Sequence, residues 1–389
     1  MDIFSQVEAW IDENREQEIE FLQHLIQIPS INPWFSDYRE YTTEKNVQEF
    51  LAESLQKLGF SVRLWETSAD GLKDFEGYPG YYKDRPMHDR PILYACYKGT
   101  GNGRSLLLTG HADVVKVGEG WTRDPFGASI EGNQIYGRGA VDMKGGIAAM
   151  IMAARAVIEN RIELRGDIQV NTVPDEEAGG MGSLDYVHRG IHSDGAIMTE
   201  PTDLQIGPMC RGILWGRIII PGRAGHIEME QSHWSQGGSV DAVKLLQLYL
   251  NQIDHFNGRW ATKKVHPLMN IPCQLLVAGV HAGEYPSAYA GSAEIIFDAQ
   301  YLPHLDDHYR GTRIKAEIED FVARVADTDE WLREHRPHVE WLLDADCAET
   351  PADGEFVKTM IQGAEKIKSP VTVKGLGAHS DMGWYVHKG

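Results

Sequence analysis

Apolar and polar residues recur along this chain in two patterns, one typical of helices and one of short buried strands. Apolar side chains at intervals of three or four residues predict a helix from Phe4 to Ile26 and another over residues 43–58, ending at Gly59. Short apolar runs, clearest at residues 106–108, predict strands buried on both faces. Similar strands are predicted at 60–65, 92–99, 166–173 and 196–200. The alternation predicts an α/β fold with a mostly parallel sheet flanked by helices.

The pattern changes near Ile206, where strands and one long amphipathic helix indicate an inserted α+β domain. We expect residues 206–305 to form this insert, and residues 1–205 and 306–389 to form a discontinuous first domain. A polar helix start at 305–310 would return the chain to the first domain. Residues 67–90 follow no regular pattern, and a loop of this length is expected to be functional or mobile.

Histidine and carboxylate residues recur where predicted strands end. His111 and Asp113 follow the clearest apolar run, and Asp142 lies in the segment GRGAVDMKGG ahead of a predicted helix of small residues. Further strands end at the adjacent pair Glu176–Glu177 and at Glu200. In open α/β sheets the carboxyl ends of the strands form the ligand-binding edge. Four successive strand ends are therefore expected to assemble one histidine and several carboxylates, a donor set that suits divalent metals.

Each of these residues also has an explanation that needs no ligand. His111 alone matches an ordinary partly buried histidine, Glu176–Glu177 a solvated acidic turn, and Glu200 the end of a strand before a proline. His226 could be a surface histidine, and His233 is expected to be structural. Their repeated placement at strand ends favours a metal site over four separate explanations.

The composition excludes some partners. With 37 Lys+Arg against 57 Asp+Glu, the formal charge of −20 argues against nucleic acid or an anionic membrane as partner. The 4 cysteines are scattered without a CxxC motif, which is typical of reduced thiols in a cytoplasmic protein. The first residues carry acids rather than an apolar run, and no signal peptide or membrane span is expected.

The motifs GHADVV, DPFG, GRGAVDMKGG, DEE and TEPT occur in the order and spacing of one enzyme family. Over roughly residues 26–389 the chain resembles the acetylornithine deacetylase / succinyl-diaminopimelate desuccinylase group of the M20 family. This resemblance implies a zinc-peptidase-like catalytic domain of residues 1–205 and 306–389, with residues 206–305 as the lid and dimerisation domain. It also implies a metal-dependent amidohydrolase or metallopeptidase with two divalent ions.

The resemblance further implies a role for each site residue. By this resemblance, His111 and Glu200 would bind one ion, Glu177 would bind the second, and Asp142 would bridge the two. Glu176 would act as the general base, and the carboxylate of Asp113 would hold His111 in its metal-binding tautomer. The peptide bond between Asp142 and Met143 would be cis. His226 would reach from one subunit into the other's site and donate a hydrogen bond to the developing oxyanion, which implies a homodimer.

The residues themselves support the same chemistry. An amide reacts only when its carbonyl is polarised and a nucleophile is supplied, and two metal ions about 3.5–4 Å apart can do both. We do not expect Glu176 and Glu177 both to face the ions from one backbone. One would therefore bind metal, and the other would move protons between the attacking water and the leaving amine.

Two features depart from the family pattern. The family has a final histidine ligand near the C-terminus, for which His379 in GLGAHSDMGW is a candidate. That segment fits an earlier family segment better, which would put the ligand beyond residue 389 and leave the catalytic domain incomplete. Gln300 stands where many relatives carry arginine, so a carboxylate on the substrate is less strongly required. The segment GHIEMEQSHWSQGGSVDA is similar to the branch that contains a formyl-aminopyrimidine deformylase.

We therefore expect a hydrolase that cleaves the amide bond of an N-acylated amino acid or a similar small N-acyl compound. The alternatives are a dipeptidase or carboxypeptidase, a formyl-aminopyrimidine deformylase, and an inactive homologue that binds a ligand without turnover. Zinc is the expected metal, with cobalt and manganese as alternatives because histidine and carboxylates suit several divalent ions.

Overall fold

The computed structural model describes residues 2–35, 44–303 and 311–388. Its helices are α1 (Ile3–Gln27), α2 (Glu44–Lys57), α3 (Lys144–Glu159), α4 (Met181–His188), α5 (Ala242–Lys263), α6 (Thr312–Ala326), α7 (Glu330–Glu334), α8 (Glu355–Lys366) and α9 (Met382–Lys388). Its strands are β1 (Ser61–Trp65), β2 (Ile92–Tyr97), β3 (Leu106–His111), β4 (Ser129–Glu131), β5 (Gln134–Tyr136), β6 (Ile168–Val173), β7 (Gly195–Met198), β8 (Met209–Cys210), β9 (Gly212–Pro221), β10 (Gly225–His226), β11 (Gln274–Ala282), β12 (Ala288–Tyr289), β13 (Ser292–Tyr301), β14 (His338–Ala345) and β15 (Ala348–Glu349). Within these residues, no helix has both the length and the apolar run that crossing a bilayer requires.

The chain divides into two compact units. The first consists of Met1–Pro208, Thr350–Val373 and Trp384–Gly389, and the second of Met209–Glu349 and Lys374–Gly383. The second unit extends further than the insert predicted at 206–305, because β14 pairs with β9 and α6 packs against α5. The predicted boundary after residue 305 and the polar helix start at 305–310 lie outside the described residues.

The first unit is built on a five-stranded sheet with the order β1-β2-β6-β3-β7. Strands β6, β3 and β7 are parallel, whereas β2 runs against both β1 and β6. Four of the five strands therefore share one direction, which confirms the predicted mostly parallel sheet. Consecutive residues of β3 point into different apolar clusters: Leu107 packs with residues of α4, and Leu108 with residues of α2 and α3. The sheet is thus covered on both faces, as the apolar runs predicted.

A buried lysine fixes the start of α3. Lys144 is fully buried, and its Nζ donates hydrogen bonds to the carbonyl oxygens of Leu25 and Ile28, at 2.8 and 2.7 Å. These carbonyls lie at the C-terminal end of α1, where the helix leaves acceptors without intrahelical partners. Burial lowers the pKa of Lys144 to about 7. Because Asp142 lies two residues before Lys144, this contact also fixes the backbone that carries Asp142.

The second unit is an α+β structure with an antiparallel sheet in the order β11-β13-β9-β14. Buried and half-buried residues alternate along β9, and its buried residues join one apolar cluster with α5 and α6. Strand β11 lies at an edge of this sheet, and Leu276, Val277 and Val280 on it are exposed.

Candidate metal centre

His111 is the last residue of β3, and its side chain is 1% exposed. Its Nδ1 lies 2.9 Å from the carbonyl oxygen of Asp113 and 3.5 Å from that residue's Oδ1. The carbonyl of Asp113 is thus the nearer acceptor for an Nδ1 proton, whereas the family resemblance implied that its carboxylate would be the acceptor. With its proton on Nδ1, the imidazole presents the lone pair of Nε2, the form that binds metal ions.

Carboxylate oxygens surround Nε2 of His111. Asp142 Oδ1 lies 3.1 Å away, Glu176 Oε2 3.8 Å and Glu200 Oε2 4.0 Å. Glu177 offers an oxygen to the same group, in which the ligand atoms of His111, Asp142 and Glu177 all lie within 4.8 Å of one another. Residues that are far apart in the sequence therefore converge on one imidazole nitrogen.

A tight turn presents both glutamates to the centre. Asp175 has a left-handed backbone, with φ at +73°, and Glu176–Ala178 form a single 3-10 turn after it. The carboxylate of Asp113 accepts the backbone N–H groups of Glu176 and Glu177, each at 3.2 Å. Both carboxylates thus lie near His111, although we expected only one of the pair to face the ions; the division of roles between them stays a prediction.

Asp142 lies at a different place in the fold from the one that we expected. It does not follow a strand of the five-stranded sheet, but lies between the β4–β5 hairpin and α3. The prediction of four successive strand ends was therefore wrong for Asp142, while Glu176 and Glu200 do lie two to three residues after β6 and β7. The peptide bond between Asp142 and Met143 is cis, as expected.

The electrostatics of the cluster favour a cation. Burial, together with the charges of Asp142, Asp113 and Glu200, raises the pKa of Glu177 to about 8 despite the opposing effect of His111. Burial alone would lower the pKa of His111, but the surrounding carboxylates hold that pKa well above its usual value. Two donors bound to one tetrahedral ion at about 2.1 Å lie roughly 3.4 Å apart. The spacings around Nε2 of His111 bracket this distance, so the residues fit a divalent metal.

Three other predicted residues belong to the second unit. His226 is exposed on β10, and its Nδ1 accepts the backbone N–H of Glu228 at 3.2 Å. The side chain of His379 is 8% exposed, and its Nδ1 lies 3.2 Å from the carbonyl oxygen of Arg211. Gln300 accepts a hydrogen bond from the buried guanidinium of Arg211. The proposed functions of His226 and His379 remain predictions.

Sequence reasoning missed four buried residues directly behind the centre. Asn32 donates to the carboxylates of both Asp113 and Asp175, and Asp175 also contacts Arg85 and Arg90. The two arginines lie in the irregular segment between β1 and β2, where no periodic pattern marks a residue as buried. The only signal in the sequence was the unusual length of that segment.

The chain is similar to proteins of one known family. A family model described as peptidase family M20/M25/M40 matches residues 107–389. N-formyl-4-amino-5-aminomethyl-2-methylpyrimidine deformylase of Bacillus subtilis is 28% identical over 340 residues, which are 85% of this chain and 73% of the relative. Succinyl-diaminopimelate desuccinylase of Wolinella succinogenes is 28% identical over 365 residues, covering 90% of this chain and 85% of the relative.

A solved structure shows the same fold. It is described as a dinuclear metal binding peptidase of the M20 family from Bacillus subtilis, and it matches with a TM-score of 0.59 at 14% identity. The match covers 97% of this chain and 87% of that structure. Because the family model spans most of the sequence and the fold agrees, the chain belongs to peptidase family M20/M25/M40 and is a hydrolase of amide bonds.

Proposed function

We propose that this protein hydrolyses the amide bond of a small N-acyl compound, with two divalent cations held by His111, Asp142, Glu177 and Glu200. One observation carries the proposal: Nε2 of a buried histidine lies within 4.0 Å of oxygens from Asp142, Glu176 and Glu200. Zinc is the first metal to test because imidazole and carboxylate ligands suit it, and cobalt and manganese are the alternatives. The solved structure described as a dinuclear metal binding peptidase supports a pair of ions.

The protein residues then have separable tasks. Bound divalent cations supply Lewis-acid polarisation of the amide carbonyl and acidify a water molecule. Asp113 holds His111 in the ligating tautomer and anchors the backbone of Glu176 and Glu177. Glu176 accepts a proton from the attacking water and delivers it to the leaving amine. This assignment leaves Glu177 as the metal ligand of the pair.

We also propose that the working unit is a homodimer formed through the second unit. In the M20 group that the chain resembles, the histidine matching His226 acts in the partner's active site. His226 is exposed, and its Nδ1 is engaged by Glu228, so Nε2 is the atom that would donate to the developing oxyanion. The exposed Leu276, Val277 and Val280 on the edge strand β11 offer apolar surface that a second copy would cover.

Two relatives and one substitution support the substrate class that we propose. Both relatives described above remove an acyl group from an amine, formyl in one and succinyl in the other. An N-acylated amino acid is our first candidate, and an N-formyl aminomethylpyrimidine is the second, favoured by the 85% of this chain that the deformylase match covers. Gln300 carries no charge and is already engaged by Arg211, so a substrate carboxylate would gain no ionic partner from it.

A substrate panel tests the proposal. Protein loaded with zinc, cobalt or manganese is assayed on formyl, acetyl and succinyl derivatives of amino acids, on an N-formyl aminomethylpyrimidine and on dipeptides. We expect release of the free amine from an N-acyl substrate only when metal is present. Cleavage of dipeptides alone would replace the proposal with a dipeptidase. Stoichiometric metal binding without turnover of any substrate would identify an inactive homologue.

A further inference from the structure

Two buried arginines contact the turn that carries the glutamate pair, Glu176–Ala178. Nη2 of Arg85 donates to the carbonyl of Ala178 at 2.8 Å, and its Nε lies 3.6 Å from Oδ2 of Asp175. Nη2 of Arg90 donates to Oδ1 of Asp175 at 3.0 Å. The side chains of Arg85, Arg90 and Asp175 are 2%, 3% and 0% exposed. We call these three residues the arginine clamp.

The clamp acts on a backbone conformation that an aspartate seldom adopts. The φ of +73° at Asp175 lies in the left-handed region, which costs free energy unless the surroundings enforce it. Arg85 is itself held in place, because its guanidinium lies 4.4 Å from the ring of Trp34 and 4.5 Å from the ring of Tyr82. Tyr82 also packs against Gly179, where an added Cβ would lie 2.3 Å from the tyrosine hydroxyl. The turn is thus held at Asp175, Ala178 and Gly179.

Asn32 connects the clamp to the metal centre. Its Nδ2 lies 2.8 Å from Oδ2 of Asp113 and 3.2 Å from Oδ1 of Asp175. The carboxylate of Asp113 in turn accepts the N–H groups of Glu176 and Glu177. A continuous set of hydrogen bonds therefore runs from Arg90 through Asp175, Asn32 and Asp113 to the backbone of both glutamates, while Arg85 binds the same turn directly at Ala178.

The two arginines of the clamp also compensate the negative charge of buried carboxylates next to the metal centre. Arg85 and Arg90 bring two positive charges to a region that holds the buried carboxylates of Asp175, Asp113 and Glu44. Buried carboxylates need a cationic partner or hydrogen bonds. The arginines supply these partners to Asp175 and Glu44. The carboxylates around His111 form a separate acidic group that suits a cation.

We propose that Arg85 and Arg90 are positioning residues: through Asp175 they fix the Glu176–Ala178 turn, and so set the affinity for metal and the geometry of proton transfer. This inference rests on the proposed function, since it assigns the clamp a task in the same centre. It adds a part of the chain, the irregular segment before β2, that the proposed mechanism leaves without a role.

The test compares Arg85→Lys with Arg189→Lys as a matched control. Lysine keeps the positive charge but loses the forked contact to Ala178 and Asp175. Arg189 makes contacts of the same kind, with its Nε 3.0 Å from Oδ2 of Asp185 and its guanidinium 4.8 Å from the ring of Trp65, but its side chain is 44% exposed and these contacts do not involve the turn. Each protein is measured for kcat and KM, for zinc affinity by calorimetry of the metal-free form, and for hydrogen exchange of the backbone at 175–180.

For Arg85→Lys we expect a loss of about 10–100-fold in kcat or zinc affinity, with KM nearly unchanged. Backbone exchange at 175–180 should become faster in the metal-free protein, and the control should match the wild type in all three measurements. Wild-type values in the Arg85 variant would overturn the clamp. Equal losses in the control would also overturn it, because the effect would then be general destabilisation.

A second variant covers the case in which Arg85→Lys does not fold, and hydrogen exchange tests the clamp independently of activity. If Arg85→Lys does not fold, Asp175→Asn is used, since asparagine tolerates the left-handed backbone while it removes the charge and one acceptor oxygen of the clamp. If the wild type binds no metal and cleaves no amide, the proposed function fails, but the exchange measurement still judges the clamp. Faster exchange at 175–180 would then support the clamp, and unchanged exchange would contradict it.

Discussion

Nε2 of His111 lies 3.1 Å from Oδ1 of Asp142, although the two residues are 31 positions apart in the chain. The side chain of His111 is 1% exposed, while that of Asp142 is 53% exposed. One donor is therefore fixed in the protein interior, and the other lies where the centre opens to solvent. A substrate and an exchanging metal ion would both approach from the side of Asp142.

Replacing Asp142, the proposed bridge between the two ions, should reduce the number of bound ions. For Asp142→Asn we expect bound zinc to fall from about two equivalents to one or fewer, with loss of amidase activity, because a neutral amide is a poor bridge between two cations. Metal analysis after gel filtration measures the stoichiometry. Asp12→Asn, a change at an exposed residue of α1, should keep both ions. Two bound equivalents in Asp142→Asn would remove Asp142 from the bridging role.

Matched substitutions at the adjacent glutamates should separate proton transfer from metal binding. For Glu176→Gln we expect retained zinc and a kcat lower by about 10²–10⁴-fold, the usual effect of losing a general base. For Glu177→Gln we expect zinc affinity itself to fall, since this residue would supply a ligand. Calorimetry and steady-state kinetics on both variants give the comparison. The reverse result would exchange the two roles, which the geometry permits because both carboxylates face His111.

Mixing two inactive variants should test whether His226 acts between subunits. His226→Ala is expected to lower kcat by about 10²–10³-fold, as for other lost oxyanion donors, without changing metal affinity. When it is unfolded and refolded together with Glu176→Gln, hybrid dimers would contain one intact site, and activity should return. If His226 serves its own subunit, every site in the hybrid carries a defect. No recovery in dimers shown to be mixed would therefore contradict the assignment.

The buried Glu44 should make stability depend on pH. Burial, together with the charges of Asp113 and Asp175, raises its pKa from 4.5 to about 7 despite the neighbouring Arg90. The folded state therefore favours the protonated acid. This stabilisation is complete below about pH 4.5 and is lost as the pH rises through about 7.

Glu44→Gln should accordingly flatten the pH dependence of stability between pH 5 and 8, since glutamine has no proton to lose. Urea unfolding of the metal-free variant and wild type at several pH values provides the measurement. Glu49→Gln, at an exposed position of the same helix, should follow the wild type. An unchanged slope in Glu44→Gln would show that another group carries the effect.

Glycine at position 146 should be required for the placement of Glu200. A Cβ at Gly146 would lie 1.9 Å from the carbonyl oxygen of Thr199, the residue before Glu200. Gly146→Ala is therefore expected to lower the free energy of unfolding by about 1–3 kcal/mol or more, and to weaken metal binding. Gly363→Ala in α8, where no atom of another described residue outside the local helix backbone lies within 4 Å of the added Cβ, should instead stabilise by about 0.5–1 kcal/mol. Thermal unfolding of the metal-free proteins gives the comparison, and equal effects would show that crowding at Gly146 is relieved.

The sequence predicted those features that depend on local pattern. The helix from Phe4, the strand before His111 and the small-residue helix after Asp142 follow from apolar periodicity, and the structure contains all three. The position of His111 at a strand end followed from the same pattern. The orientation of Glu176 did not, because it depends on the left-handed backbone at Asp175, which no residue type in that segment requires.

Long-range contacts were beyond the reach of sequence patterns. Asn32 reaches Asp175 across 143 positions, and nothing around either residue indicates the other. The second unit extends to Glu349 because β14 pairs with β9. Local sequence patterns do not predict pairing between strands so far apart in the chain. Burial of Arg85 and Arg90 likewise follows from tertiary packing rather than from periodicity.

The cap that Lys144 forms on α1 has a consequence for truncated versions of this enzyme. The family match begins at residue 107, yet both oxygens that receive the Lys144 ammonium belong to residues before 30. A fragment starting at the matched region would retain every proposed ligand but would lose both carbonyl acceptors of the Lys144 ammonium, two residues from Asp142. We therefore expect activity to require the amino-terminal helix, even though none of its side chains is proposed to contact the ions or the substrate.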